Sequence, residues 1–218
     1  MIINELRINE LKTSDGVKIV GDFEMPTGAK KAVLLLHMMP STRVSWKSLT
    51  EDLNKAGFAT LAIDLRGHGE SAATLDYKKF TDAEHQASRL DVDAAINFLK
   101  QNKFSEENIS FAGASIGANL SLDALYRYAG TSRAVLLSPG LNYRGIKTEA
   151  AMRGLNSHQK VWLVAAEGDE YSAQSVRALK SLQAEKSVLT IFPGGDHGTT
   201  LFKSQPKLIN DIAVFLHS

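Results

Sequence analysis

The chain has 218 residues, 44% of them hydrophobic, enough to bury a substantial core in a single domain over residues 1–218. Its 25 basic and 24 acidic residues leave a formal net charge of +1, so neither a basic footprint for nucleic acid nor a strongly acidic character is present. Cysteine is absent, which excludes disulfides, thiolate metal sites and a cysteine nucleophile.

The first residues, Met1-Ile2-Ile3-Asn4-Glu5-Leu6-Arg7, carry an early acid and no long apolar core. They do not read as a signal peptide, and a cytoplasmic location is expected. Apolar runs such as Ala32 to Leu36 are strand-length, far short of the roughly 20 residues of a membrane-spanning helix. Next in the chain, Asp15-Gly16 lies between Arg7–Leu11 and Val17–Met25, a spacing that predicts an antiparallel hairpin.

Beyond the hairpin, short apolar runs alternate with helical stretches: Ala32–His37, Phe58–Ile63, Ile109–Ala112, Ala134–Leu137, Val161–Ala165 and Val188–Phe192. Such runs predict buried strands. The clearest helix, about Asp82 to Gln101, sets Leu90, Ala94, Ala95, Phe98 and Leu99 near helical spacing. Strand–helix alternation predicts an α/β fold, a mostly parallel sheet covered by helices on both faces. The sequons Asn108-Ile109-Ser110 and Asn119-Leu120-Ser121 fall on expected core elements and read as chance.

In open parallel sheets, chemistry gathers at the carboxyl ends of the strands. After Ile109–Ala112 comes Gly113-Ala114-Ser115-Ile116-Gly117, between strand and helix. Glycines flanking a serine allow a sharp turn that exposes the hydroxyl, while the Ile116 amide at the helix start points where an oxyanion forms. Ser115 is therefore the candidate nucleophile. Of six histidines, His197 lies in Gly194-Gly195-Asp196-His197-Gly198 directly after the last strand and is the candidate base. His85, His158 and His217 are expected to be solvent-exposed, and His68 lies in a turn. Past Val161–Ala165, Glu167, Asp169 and Glu170 are each chemically able to orient an imidazole, with Asp169 favoured because it follows Gly168 at a turn.

Asp64-Leu65-Arg66-Gly67-His68-Gly69-Glu70-Ser71 resembles the Asp-x-Arg-Gly-His-Gly-x-Ser segment of the α/β-hydrolase superfamily. The likeness extends over nearly the full chain, and the order Ser115, Asp169, His197 is that family's order. It implies an α/β-hydrolase fold in which Asp64, Arg66 and His68 stabilise a turn. Leu34-Leu35-Leu36-His37-Met38-Met39-Pro40 is similar to the family's strand-three end, which makes the Met39 amide the second oxyanion donor; Met38 stands where glycine is usual.

The resemblance implies a serine hydrolase that forms an acyl-enzyme on Ser115 and needs no cofactor or metal. Only Pro139 to Lys160 is available as a cap, with a brief helix expected over Glu149–Gly154. A minimal cap favours small, soluble, short-chain acyl esters over long-chain triglycerides, with Arg43, Trp46 and Tyr143 as candidate entrance residues. Thioesterase, lactonase, and acyltransferase or perhydrolase activities on the same triad are alternatives, as is a non-catalytic ligand-binding role. The expected partner is a small-molecule ester, with no nucleic acid and no membrane span.

Overall fold

A computed structural model describes residues 2–73 and 75–218. Among the described residues, ten strands lie in chain order: β1 (Ile3–Lys12), β2 (Lys18–Pro26), β3 (Lys31–Leu36), β4 (Phe58–Ile63), β5 (Ile109–Ala114), β6 (Arg133–Leu137), β7 (Asn142–Tyr143), β8 (Ile146–Lys147), β9 (Lys160–Ala166) and β10 (Ser187–Phe192). The α-helices are α1 (Lys47–Lys55), α2 (Asp82–Gln86), α3 (Ser88–Gln101), α4 (Ile116–Arg127), α5 (Glu149–Arg153), α6 (Glu170–Leu182), α7 (Leu201–Ser204) and α8 (Lys207–His217).

Eight strands form one sheet in the order β1-β2-β4-β3-β5-β6-β9-β10. β1 pairs antiparallel with β2 and β2 antiparallel with β4. From β4 to β10 every pairing is parallel. The expected opening hairpin is present: Gly16 has φ 84°, a conformation open to glycine at no steric cost, and Thr13 and Val17 close the turn by a backbone hydrogen bond of 3.0 Å.

Parallel strands covered on both faces bury both sets of alternating side chains, which is why they read as continuous apolar runs. Leu34, Leu36, Leu61, Ile63, Phe111, Leu136 and Leu163 face α3, α4 and α6, through Val92, Ile96, Leu120 and Val176 among others. Their neighbours Val33, Leu35, Ala112, Val135, Leu137 and Val164 face α1, α7 and α8, through Leu49, Leu53, Phe202, Ile212 and Leu216. The helix expected over Asp82 to Gln101 is instead two helices meeting at Ala87. Thr81 opens the first with a capping box to Glu84, a strong local start signal that propensity further along does not reveal.

Because β3, β5, β6, β9 and β10 run parallel, the loops after them emerge along one edge of the sheet. The stretch from Ser138 to Gln159 holds only the β7–β8 hairpin and α5, close to the minimal cap expected from the sequence. Arg144 (φ 52°) and Gly145 (φ 80°) make the two left-handed residues of a tight hairpin turn. Among the described residues, no helix is long and apolar enough to cross a membrane.

Candidate active site

Ser115 sits between the last residue of β5 and the first of α4 with φ 54° and ψ −119°, a backbone conformation uncommon for a residue with a side chain. A Cβ at Gly113 would collide with the Gly117 carbonyl and the Ser121 side chain, and one at Gly117 with the Leu36 carbonyl. Both glycines are thus required by close backbone approach. The turn is held by hydrogen bonds from the Ser115 amide to Leu137 O (2.8 Å) and from the Ala118 amide to Ser115 O (2.9 Å). Ile116, as first residue of α4, leaves its N–H without a partner inside the helix.

On the far side of β6, Asp169 follows β9 and directly precedes α6, and His197 follows β10. His197 Nδ1 and Asp169 Oδ2 are 2.7 Å apart, with 34% and 15% of the two side chains exposed. Nδ1 next to a carboxylate carries the proton, which leaves Nε2 as the acceptor. Glu167 is instead exposed and paired with Arg177 (2.6 Å), and Glu170 lies exposed in the first turn of α6. The structure therefore brings Asp169, and neither neighbouring acid, to His197. No hydrogen bond joins the Ser115 hydroxyl to the imidazole among the described residues, a common state of such sites before substrate binds.

The acid and base loops are laced together. Gly168 donates its amide to Gly194 O at 2.7 Å. Thr200 Oγ1 accepts from the His197 amide (2.9 Å) and donates to its carbonyl (2.9 Å). Gly198 donates its amide to the buried Ser138 hydroxyl at 2.9 Å, tying the histidine loop to the end of β6.

At the end of β3, His37 is fully buried. Its Nδ1 donates to Met38 O (2.8 Å) and its Nε2 accepts the Leu65 amide (3.0 Å), so the ring is neutral. Burial pulls its pKa down to about 3. Met38 lacks the positive φ that would demand glycine; among the described residues, the non-glycine residues with positive φ are Lys103, Ser115, Ser138 and Arg144. Its side chain lies against Gly198, where a Cβ would come 2.6 Å from the sulfur. Met38 and Met39 are both half-buried and pack on opposite core clusters.

The Asp64–Ser71 segment is a turn built on buried charge. Asp64 accepts from the Arg43 and Glu70 amides (2.8 and 2.9 Å) and from the Arg43 guanidinium. Arg66 grips Asp91 through its amide and Nε, both at 2.9 Å, and Asp15 at 2.8 Å. His68 stacks on Tyr77 with ring centroids 3.9 Å apart. Among the described residues, no cluster of side chains has the makings of a metal site.

Three sequence expectations are corrected. Arg43 does not line an entrance: it is 5% exposed and bonded to Asp22, Asp64 and Glu70. Trp46 is fully buried, edge-on to Phe202 at 5.9 Å. His85 is buried rather than solvent-exposed, packed edge-on to Phe80 at 5.3 Å. His158 and His217 are exposed as expected.

One residue near the nucleophile was read in the sequence only as part of a chance sequon. Buried Asn119, one turn into α4, accepts from the Gly140 amide (3.0 Å) and donates to Ile146 O (2.7 Å), fastening the β7–β8 hairpin to the helix behind Ser115.

The fold has solved counterparts. The chain superposes on the Pyrococcus furiosus esterase Pf2001 with a TM-score of 0.77, covering 99% of this chain and 92% of that one at 20% identity. A dienelactone hydrolase from Anabaena variabilis gives 0.77 over 98% and 94%, again at 20% identity. In sequence, 146 residues (66% of the chain) are 30% identical to a Bacillus subtilis protein named for 2-succinyl-6-hydroxy-2,4-cyclohexadiene-1-carboxylate synthase activity. The match spans 49% of that relative, so the chain covers about half its length. A family model described as "Serine aminopeptidase, S33" matches residues 27–188, and with the elbow at Ser115 and this sheet order, the chain belongs to that family of α/β-hydrolases.

Proposed function

We propose that the chain is a serine hydrolase that cleaves small, soluble carboxylic esters, with Ser115 as nucleophile, His197 as general base and Asp169 as the acid that orients it. The observation that carries this reading is the 2.7 Å bond between His197 Nδ1 and Asp169, in loops laced together at the strand edge that bears the Ser115 elbow. Ser115 Oγ attacks the ester carbonyl as His197 Nε2 takes its proton. The tetrahedral oxyanion is met by the Met39 and Ile116 amides, each worth about 3 kcal/mol in the transition state. Collapse expels the alcohol, which receives the proton from His197. Water, deprotonated by His197, then attacks the acyl-enzyme and releases the acid.

The short cap favours small acyl groups, because among the described residues only the β7–β8 hairpin and α5 lie between β6 and β9, too little to cover a long chain. A fluorophosphonate probe with wild type and Ser115→Ala, alongside p-nitrophenyl esters of increasing chain length, tests the reading. Labelling and turnover of short esters by wild type alone is expected. Labelling that persists in Ser115→Ala overturns the nucleophile, and labelling without turnover of any ester favours a ligand-binding role.

A further inference from the structure

The sheet ends in two unlike edges. β1 carries Glu5, Arg7, Glu10 and Lys12, and its register with β2 shifts between Ile8 and Leu11. Charge and irregularity of this kind keep an edge from pairing with another chain. β10 has neither: Ser187-Val188-Leu189-Thr190-Ile191-Phe192 carries no charge and pairs with β9 in unbroken register. Val188 is 51% exposed and Leu189 to Phe192 are half-buried, whereas β9 is buried from its second residue onward.

The Val161 amide donates to Lys186 O (2.9 Å) and the Glu167 amide to Phe192 O (2.8 Å), so the even-numbered residues of β10 turn their backbone groups toward β9. The odd-numbered ones turn theirs outward. Of these, the Ser187 carbonyl already takes the Lys180 ammonium. Among the described residues, nothing bonds the outward N–H and C=O groups of Leu189 and Ile191.

These free groups are complementary to themselves. In an antiparallel pairing of two copies of β10 about a two-fold axis at Thr190, Leu189 faces the partner's Ile191 and Ile191 the partner's Leu189, each pair exchanging both backbone hydrogen bonds. One step out, Ser187 faces the partner's Pro193, which has no N–H to give to the carbonyl that Lys180 occupies. Sliding the pairing by one repeat either way sets Ile191 against Ser187 or Leu189 against Pro193 and strands a group.

The side chains agree with this register. Val188, Thr190 and Phe192 lie on the α8 face, where Trp162 Nε1 donates to Thr190 Oγ1 (3.0 Å) and Phe192 packs on the α8 cluster. The two-fold sets Val188 opposite the partner's Phe192, beside a cavity of about 440 Å³ lined by Phe192, Pro206, Lys207 and Leu208. An exposed valine thereby meets a half-open apolar hollow, and no charge on either β10 opposes another.

We propose that β10 is the interface of a two-fold dimer, in which a second copy of β10 continues the sheet antiparallel across Thr190. A second copy is the occupant because the blocked groups at Ser187 and Pro193 select the two-fold register, a constraint that a strand of unrelated sequence does not share. The sheet then runs unbroken from one β1 to the other, and only the two charged β1 edges are left to solvent.

The chain has no cysteine, so one introduced thiol reports the register. Thr190→Cys sets two thiols across the axis at a non-hydrogen-bonded position, where Cα atoms lie about 4.5 Å apart, within reach of a disulfide. It is expected to cross-link into a dimer under mild oxidation. Val188→Cys, which faces position 192 of the partner rather than its own counterpart, is expected to stay uncross-linked. Sedimentation equilibrium at micromolar concentration is expected to show a dimer for wild type. Val188→Lys, which buries a charge on each side of the axis, is expected to weaken it about 100-fold or more while keeping the wild-type circular dichroism spectrum. A monomeric wild type leaves the edge to a strand of another protein and overturns the proposal. A dimer that resists Val188→Lys, or cross-linking no better at position 190 than at 188, overturns it as well.

Discussion

The buried imidazole of His37 holds the carbonyl of Met38 through Nδ1 at 2.8 Å, and the Ser41 amide reaches the same oxygen at 2.8 Å. The Met38 carbonyl and the Met39 N–H belong to one planar trans peptide and point in opposite directions, so anchoring the first aims the second. His37→Gln, which disturbs this anchor without touching the proposed triad, is expected to lower kcat roughly 10- to 100-fold with little change in KM, as loss of a transition-state donor does. Steady-state kinetics on a short ester read the split; a rise in KM at constant kcat contradicts it.

The same residue predicts a pH dependence. Folded His37 has a pKa of about 3 and the unfolded residue about 6.5, so between those values the unfolded chain binds the extra proton. The stability that neutral His37 contributes is present in full above pH 6.5 and declines as pH falls through that window. Urea midpoints at pH 7.5, 6 and 5 are expected to fall more steeply for wild type than for His37→Gln. The difference between the two curves separates His37 from buried His68 and His85, which shift the same way, and from Asp91, where burial acts in the opposite sense. Parallel curves refute the prediction.

For the acid, Asp169→Asn is expected to lower kcat by about 10³- to 10⁴-fold, because the amide cannot hold the imidazole in the same tautomer. Glu167→Gln, at an exposed residue paired with Arg177, is expected to stay within about twofold. Rates on one ester decide it, and the reverse order moves the acid assignment to Glu167.

Removing Asn119 tests the cap. Asn119→Ala strands the buried Gly140 amide and Ile146 carbonyl, at about 1–3 kcal/mol for each group left unsatisfied. A lowered denaturation midpoint with an unchanged denaturant slope is the expected result, whereas a loss under 0.5 kcal/mol, on the scale of roughly 0.5 kcal/mol for an ordinary surface change, contradicts the clamp.

What could be read in the sequence was encoded locally. Gly113 and Gly117 flank Ser115 between a strand run and a helical stretch, which together point to a strand-to-helix elbow, and Asp15-Gly16 marked its hairpin. The strand runs were legible because parallel strands bury both faces. Side chains whose partners lie far along the chain were not legible. Arg43 reads as a surface arginine until β2 and the Asp64 turn close on it, and Tyr143 gains its position from Asn119 and Ser172, 24 and 29 residues away. The two-helix break at Ala87 was hidden because apolar spacing continues across it.

The backbone bond from Gly168 to Gly194 couples the fates of the loops that carry Asp169 and His197. Neither strand-end segment can lift from the sheet without breaking that bond and the one between the two side chains. The pair is therefore expected to open together, with their amides exchanging with solvent on one shared timescale rather than two.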